Sequence, residues 1–107
     1  MKIKKEKKYK KSSQTILDDA SSIIFDREQK KAKEYGPFNE SMSKAAKIAS
    51  LLTGKNISTE DFYRCMIALK LSRLTNNTKY DTILDGIAYL AAYSEFLELK
   101  KQSNEQI

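Results

Sequence analysis

Residues 58–101 read STEDFYRCMIALKLSRLTNNTKYDTILDGIAYLAAYSEFLELKK. Ser58 is a natural helix N-cap, with Asp61 three residues on in a capping-box position and two acids in the first turn, where the helix dipole favours them. Phe62, Cys65, Met66, Leu69 and Arg73 then recur at helical spacing. Thr75-Asn76-Asn77-Thr78 is a polar turn. A second apolar pattern follows, through Ile83, Leu84, Ile87, Ala88, Leu90, Ala91, Phe96 and Leu97, and predicts a helix from about Lys79 to Lys101. Two long helices about a short turn make an antiparallel αα-hairpin. On this reading Cys65 belongs to the core, as buried free cysteines usually do.

Upstream, Met42, Ala45, Ala46, Ala49 and Leu52 define the buried face of another helix, which begins at Asn39 or Ser41 and ends at Thr53-Gly54-Lys55-Asn56 with Gly as C-cap. Further upstream, Ile16, Leu17, Ala20, Ile23, Ile24 and Arg27 lie on one face of a helix predicted over Ser13 to Glu34. Ser12, Ser13 and Thr15 can cap it, and Tyr35-Gly36-Pro37 stops it. No alternating run reads as a strand. The expected fold is all-α, a four-helix bundle with short turns over residues 13–101, followed by a polar tail at 102–107 that should fray.

Before the bundle comes a basic arm, residues 1–12. Residues 1–11 hold seven Lys and one Glu, a net charge of +6, and the other 96 residues carry 13 basic and 13 acidic groups. All of the net charge of +6 therefore resides in the arm. A lysine run with nothing to bury is expected to be flexible. It suits non-specific contact with nucleic acid phosphates or serves as a solubilising tail. With one aromatic and no Arg, it lacks the groups of a sequence reader.

Composition excludes several functions. No run approaches the ~18 apolar residues of a membrane span. The basic start is not followed by the apolar segment of a signal peptide. One Cys excludes an intramolecular disulfide and a multi-Cys zinc site, and zero His excludes Ser-His and Cys-His dyads.

The hairpin carries the polar residues of interest. Lys70 and Asp85 lie nearly equally far from the turn, as do Arg73 and Asp81, so each pair should face across the two helices. Asp81, Asp85 and Tyr89 share a face at i, i+4, i+8. One reading is a pair of interhelical salt bridges that set the register. The other is a polar pocket in which Lys70 and Arg73 meet phosphate oxygens while Asp81 and Asp85 hold a hydrated Mg²⁺. Tyr35-Gly36 is a second candidate, since a glycine turn beside a helix N-terminus lets an anion approach the backbone; a simple C-cap is the alternative.

Three stretches together, REQKKAKEYG (27–36), KAAKIASLLTGKNISTEDFYRCMIALKLSRL (44–74) and YDTILDGIAYLAAYSEFLE (80–98), resemble a small helical family of phages and prophages, itself related to the MazG-like nucleotide pyrophosphohydrolases. The resemblance covers about residues 16 to 98. It implies a nucleotide-binding protein in which Arg27, Tyr35, Gly36, Lys70, Arg73 and Tyr89 contact the nucleotide or its phosphates and Asp81 and Asp85 bind Mg²⁺. It also implies a homo-oligomer and a cytoplasmic setting in an infected or lysogenic bacterial host. MazG-like enzymes cleave nucleoside triphosphates to monophosphate and pyrophosphate, using an E-E-x-x-E helix motif and a later E/D-x-x-D. Here Glu60-Asp61 is followed by Phe62, Tyr63 and Arg64, and Asp81 and Asp85 are four apart rather than three, so both motifs depart from the catalytic pattern. The alternative function is a non-enzymatic phage interaction protein that binds a host protein or nucleic acid.

Overall fold

The structure, a computed structural model, describes residues 11–29 and 37–105. Among the described residues there are four α-helices and no strand: α1 (Ser13–Glu28), α2 (Phe38–Thr53), α3 (Thr59–Asn76) and α4 (Tyr80–Glu105). The all-α bundle expected from periodicity is the observed fold. Among the described residues no helix is long and apolar enough to cross a membrane.

Each start and stop has a local cause. Ser12 caps α1, its hydroxyl accepting from the Thr15 N–H at 3.1 Å. The capping box of α3 is complete: Ser58 Oγ accepts from the Asp61 N–H at 3.0 Å, and Asp61 accepts from the Ser58 N–H at 3.2 Å. That backbone donor holds the Asp61 carboxyl below its ordinary range. Gly54 ends α2 in the left-handed region at φ 72°, its N–H bonded to the Ser50 carbonyl. Ser50 Oγ then clips the connection, accepting from the Ile57 N–H at 2.9 Å and donating to the Ala46 carbonyl at 2.9 Å.

Several boundaries differ from expectation. α2 begins at Phe38, not at Asn39 or Ser41. Pro37 is its N-cap at φ −62°, where a missing N–H costs nothing, and burial of Phe38 sets the start. α1 ends at Glu28 rather than Glu34, with the Gln29 N–H shared between the Phe25 and Asp26 carbonyls. The Tyr35-Gly36 turn and residues 1–10 of the arm lie outside the described residues. α4 runs on to Glu105, so the expected fraying from 102 is not seen there. Lys11, assigned to the arm, is docked: it pairs with Asp19 at 3.1 Å and sits 4.6 Å above the Tyr80 ring, whose hydroxyl donates to Asp19 at 2.5 Å.

α4 is the element on which the others assemble. It packs on α1 and on α3, while α2 leans mainly on α3. Its buried strip is Leu84, Ala88 and Ala92, one residue per turn. Around it gather Phe38 and Met42 from α2 and Tyr63 from α3, with Ile23, Ile24, Tyr89 and Phe96 packed outside them. Tyr63 is fully buried between Tyr93 and Phe96, at 5.5 Å from each ring, and its phenol donates to Asn39 Oδ1. Burial pushes this phenol up to about 12.

The buried face of α3 is therefore rotated from the predicted one. It runs through Tyr63, Met66, Ile67, Lys70 and Leu74, not through Cys65, Leu69 and Arg73, which are exposed. A tyrosine with a satisfied hydroxyl and a lysine with a buried stem hold positions that hydropathy assigns to solvent. Leu52, expected on the buried face of α2, is 82% exposed, and Leu17, Leu90 and Leu97 also face solvent.

Two glycines separate backbone strain from packing. Gly54→Ala should lower unfolding free energy by about 1 kcal/mol, because the left-handed conformation penalises a Cβ. Gly86 lies inside α4 with nothing within 4 Å of an added Cβ, so Gly86→Ala should raise stability by about 0.5–1 kcal/mol. Urea midpoints at unchanged m-value check both signs.

Candidate functional site

α1 and α4 each present an i, i+3, i+4 triplet to a shared cleft: Ile23, Asp26 and Arg27 from α1, and Asp85, Ala88 and Tyr89 from α4. Phe38 closes it from the start of α2, and Lys70 enters from α3. The cleft encloses about 360 Å³, within the range of small-ligand sites.

Its polar geometry is a connected chain. Lys70 Nζ lies 3.2 Å from Asp85 Oδ2 and 5.5 Å from the centre of the Tyr89 ring. Tyr89 meets Phe38 edge-on, with centroids 5.0 Å apart and planes at 85°. Phe38 in turn lies under the Arg27 guanidinium, 4.7 Å from its Cζ. Two cations are thus each held against an aromatic ring, and the two rings touch. The Lys70 side chain is 12% exposed and that of Asp85 39% exposed, so the carboxylate is the member of the pair nearer to water.

Arg27, Lys70, Asp85 and Tyr89, four of the residues expected from sequence to form a site, are brought together here. Arg73 and Asp81 are not. Among the described residues no ion pair joins them. Arg73 follows Lys70 by three residues but is one residue short of Leu74 on the α3 face that packs, so it turns outward into a separate depression at the α3–α4 connection. Asp81 is exposed in the first turn of α4 and lines neither depression. The expected single four-charge constellation is therefore split. Tyr35 and Gly36 fall outside the described residues.

Asp26, Ile23, Phe38 and Ala88 were missing from the sequence reading of the site. Ile23 could have been found from Arg27, because i and i−4 share a helix face, whereas Asp26, about 100° round the helix from Arg27, could not. Phe38 carried no such signal, since its place depends on where α2 starts.

A family model described as a domain of unknown function, DUF6378, matches residues 15–97. The chain belongs to the DUF6378 family. No curated protein and no solved structure matches it. The DUF6378 span takes in every residue of the cleft and ends before the last turns of α4, while the lysine arm precedes it.

As for a metal, among the described residues no group of three or more His, Cys, Asp or Glu side chains could hold one. Asp26 and Asp85 are the two carboxylates that line the cleft, and Asp85 is already paired with Lys70 at 3.2 Å.

The Lys70–Asp85 pair should behave asymmetrically. Asp85→Asn leaves a largely buried ammonium without its counter-charge, whereas Lys70→Met leaves a carboxylate that water can reach. The first should therefore destabilise more than the second. A double-mutant cycle on unfolding should give a coupling of about 1–2 kcal/mol, between the values for exposed and buried pairs.

Proposed function

We propose that this DUF6378 protein binds a nucleotide or nucleotide-like phosphate ligand in the α1–α3–α4 cleft. The observation that supports this most is the placement of Arg27 and Lys70, two ring-stacked cations, with two carboxylates in one ligand-sized space. The cations would contact phosphate oxygens. Ile23, Ala88 and the Tyr89 ring offer apolar surface to a base or sugar. Mg²⁺ carried by the phosphates would be met by Asp85 and Asp26, rather than by the Asp81 and Asp85 pair suggested by spacing, and would neutralise the charge between ligand and acids.

The MazG-like resemblance, with its phage-type origin and cytoplasmic setting, belongs to the same proposal. Its stronger form is hydrolysis of a nucleoside triphosphate to monophosphate and pyrophosphate. The missing third acid after Glu60-Asp61 favours binding over turnover, since that helix position carries Arg64, already paired with Glu60 at 2.9 Å. Homo-oligomerisation is also part of this proposal: Leu51 and Leu52 of α2 are more than four-fifths exposed, and the buried core is small. Light scattering at tens of micromolar should return a multiple of 12.3 kDa, and a monomer mass would exclude this element.

The binding reading is tested by thermal shift with nucleoside and deoxynucleoside triphosphates, with and without Mg²⁺. A ligand at 100 times its Kd adds about 2.7 kcal/mol, a rise of roughly 10 °C or more in a domain of this size. Lys70→Met and Arg27→Gln should remove the rise. No shift with any nucleotide at millimolar concentration would contradict the reading.

A further inference from the structure

The second depression differs from the cleft in its charge. It lies at the α3–α4 connection, encloses about 530 Å³, and is lined by Ser72, Arg73, Asn76, Asn77, Lys79 and Thr82. In the cleft, two cations are matched by two carboxylates. Here two cations share a surface with amide and hydroxyl groups, and no carboxylate lines it. Among the described residues, neither Arg73 nor Lys79 enters an ion pair. Both are exposed, so their charge is presented to solvent rather than spent on register.

The same end of the bundle carries the root of the lysine arm. Lys11 sits 4.6 Å above the ring of Tyr80, the residue next to Lys79, and is tied to Asp19 at 3.1 Å. Residues 2–10 supply six more lysines, tethered from that point. A polyanion that engages the depression therefore meets the arm at a raised effective concentration, and the reverse holds equally.

We infer that Arg73 and Lys79 form a binding site for the phosphodiester backbone of nucleic acid, distinct from the nucleotide cleft. The donor set is that of backbone-positioning contacts: an Arg fork, a Lys point charge, and Ser, Thr and Asn side chains. No aromatic or large apolar residue lines the depression, so no base is stacked there and binding is independent of sequence. An acidic polypeptide would use the two charges but not their arrangement with the amides.

The test is fluorescence anisotropy with a labelled 20-base-pair DNA duplex across a salt series, on the full chain. Arg73→Ala with Lys79→Ala should lower the slope of log K against log salt by about 1.8, the counterion release of two phosphate contacts. Removing residues 2–10 while keeping Lys11 should lower it further. Lys70→Met, in the cleft, should leave the slope unchanged, so that failure of the nucleotide reading and failure of this one are separately visible. Amide shifts of Asn76 and Asn77 on adding the duplex give a readout that does not depend on the variants. The inference is overturned if the double variant keeps the full slope and those amides do not move. It is equally overturned if the full chain fails to bind duplex at 50 mM salt, or if polyglutamate of matched charge competes as well as unlabelled DNA.

Discussion

The packing of α1 and α3 onto one helix, α4, at the narrow strip Leu84-Ala88-Ala92 is the constraint from which the rest of the molecule follows. Small residues in that strip let two helices approach from different sides. Ala88 is fully buried and is also part of the cleft wall. A larger side chain there would fill the space that Arg27, Lys70 and Tyr89 surround. The stability of the bundle and the existence of the cleft therefore share one position.

Given that packing, the electrostatics of the cleft are arranged by aromatic rings. Lys70 belongs to the packed face of α3, seven residues after Tyr63, and cannot point to water without leaving it. Asp85 and the Tyr89 ring compensate for this burial. Arg27 reaches the same space from α1 because Phe38, buried at the start of α2, gives its guanidinium a surface to lie on. Removing the Phe38–Tyr89 contact would separate the two cations' supports. Arg73, three residues beyond Lys70, escapes the packed face and keeps its charge for solvent, which is why one sequence pattern produces two chemically different depressions.

The fold class, the capping box at Ser58-Asp61, the glycine stop at Gly54 and the register of Lys70 with Asp85 were all legible in the sequence, because each is set by neighbours within one helix or one hairpin. What was not legible depends on tertiary context. The rotation of α3 onto Tyr63 needs Asn39 from another helix to satisfy the phenol. The exposure of Cys65, Leu52 and Leu17 follows from where α4 and α3 lie. Arg73 is turned away from the cleft by the helical rotation of about 100° per residue, and Asp81, on the face of Asp85, lies about 6 Å nearer the start of α4; symmetry about a turn predicts neither. Asp26 and Phe38 became site residues only once α1 and α2 were placed on α4.

The central claim is that Arg27, Lys70, Asp85 and Tyr89 converge on a cleft that takes a phosphate-bearing ligand. It is tested most directly by titrating a nucleoside triphosphate with Mg²⁺ into isotopically labelled protein and mapping the amide shifts. Saturable shifts are expected to cluster at Ile23, Asp26, Arg27, Lys70, Asp85 and Tyr89, with the α3–α4 connection little changed. Shifts confined to the lysine arm and to Arg73 and Lys79, with the cleft silent, would contradict it.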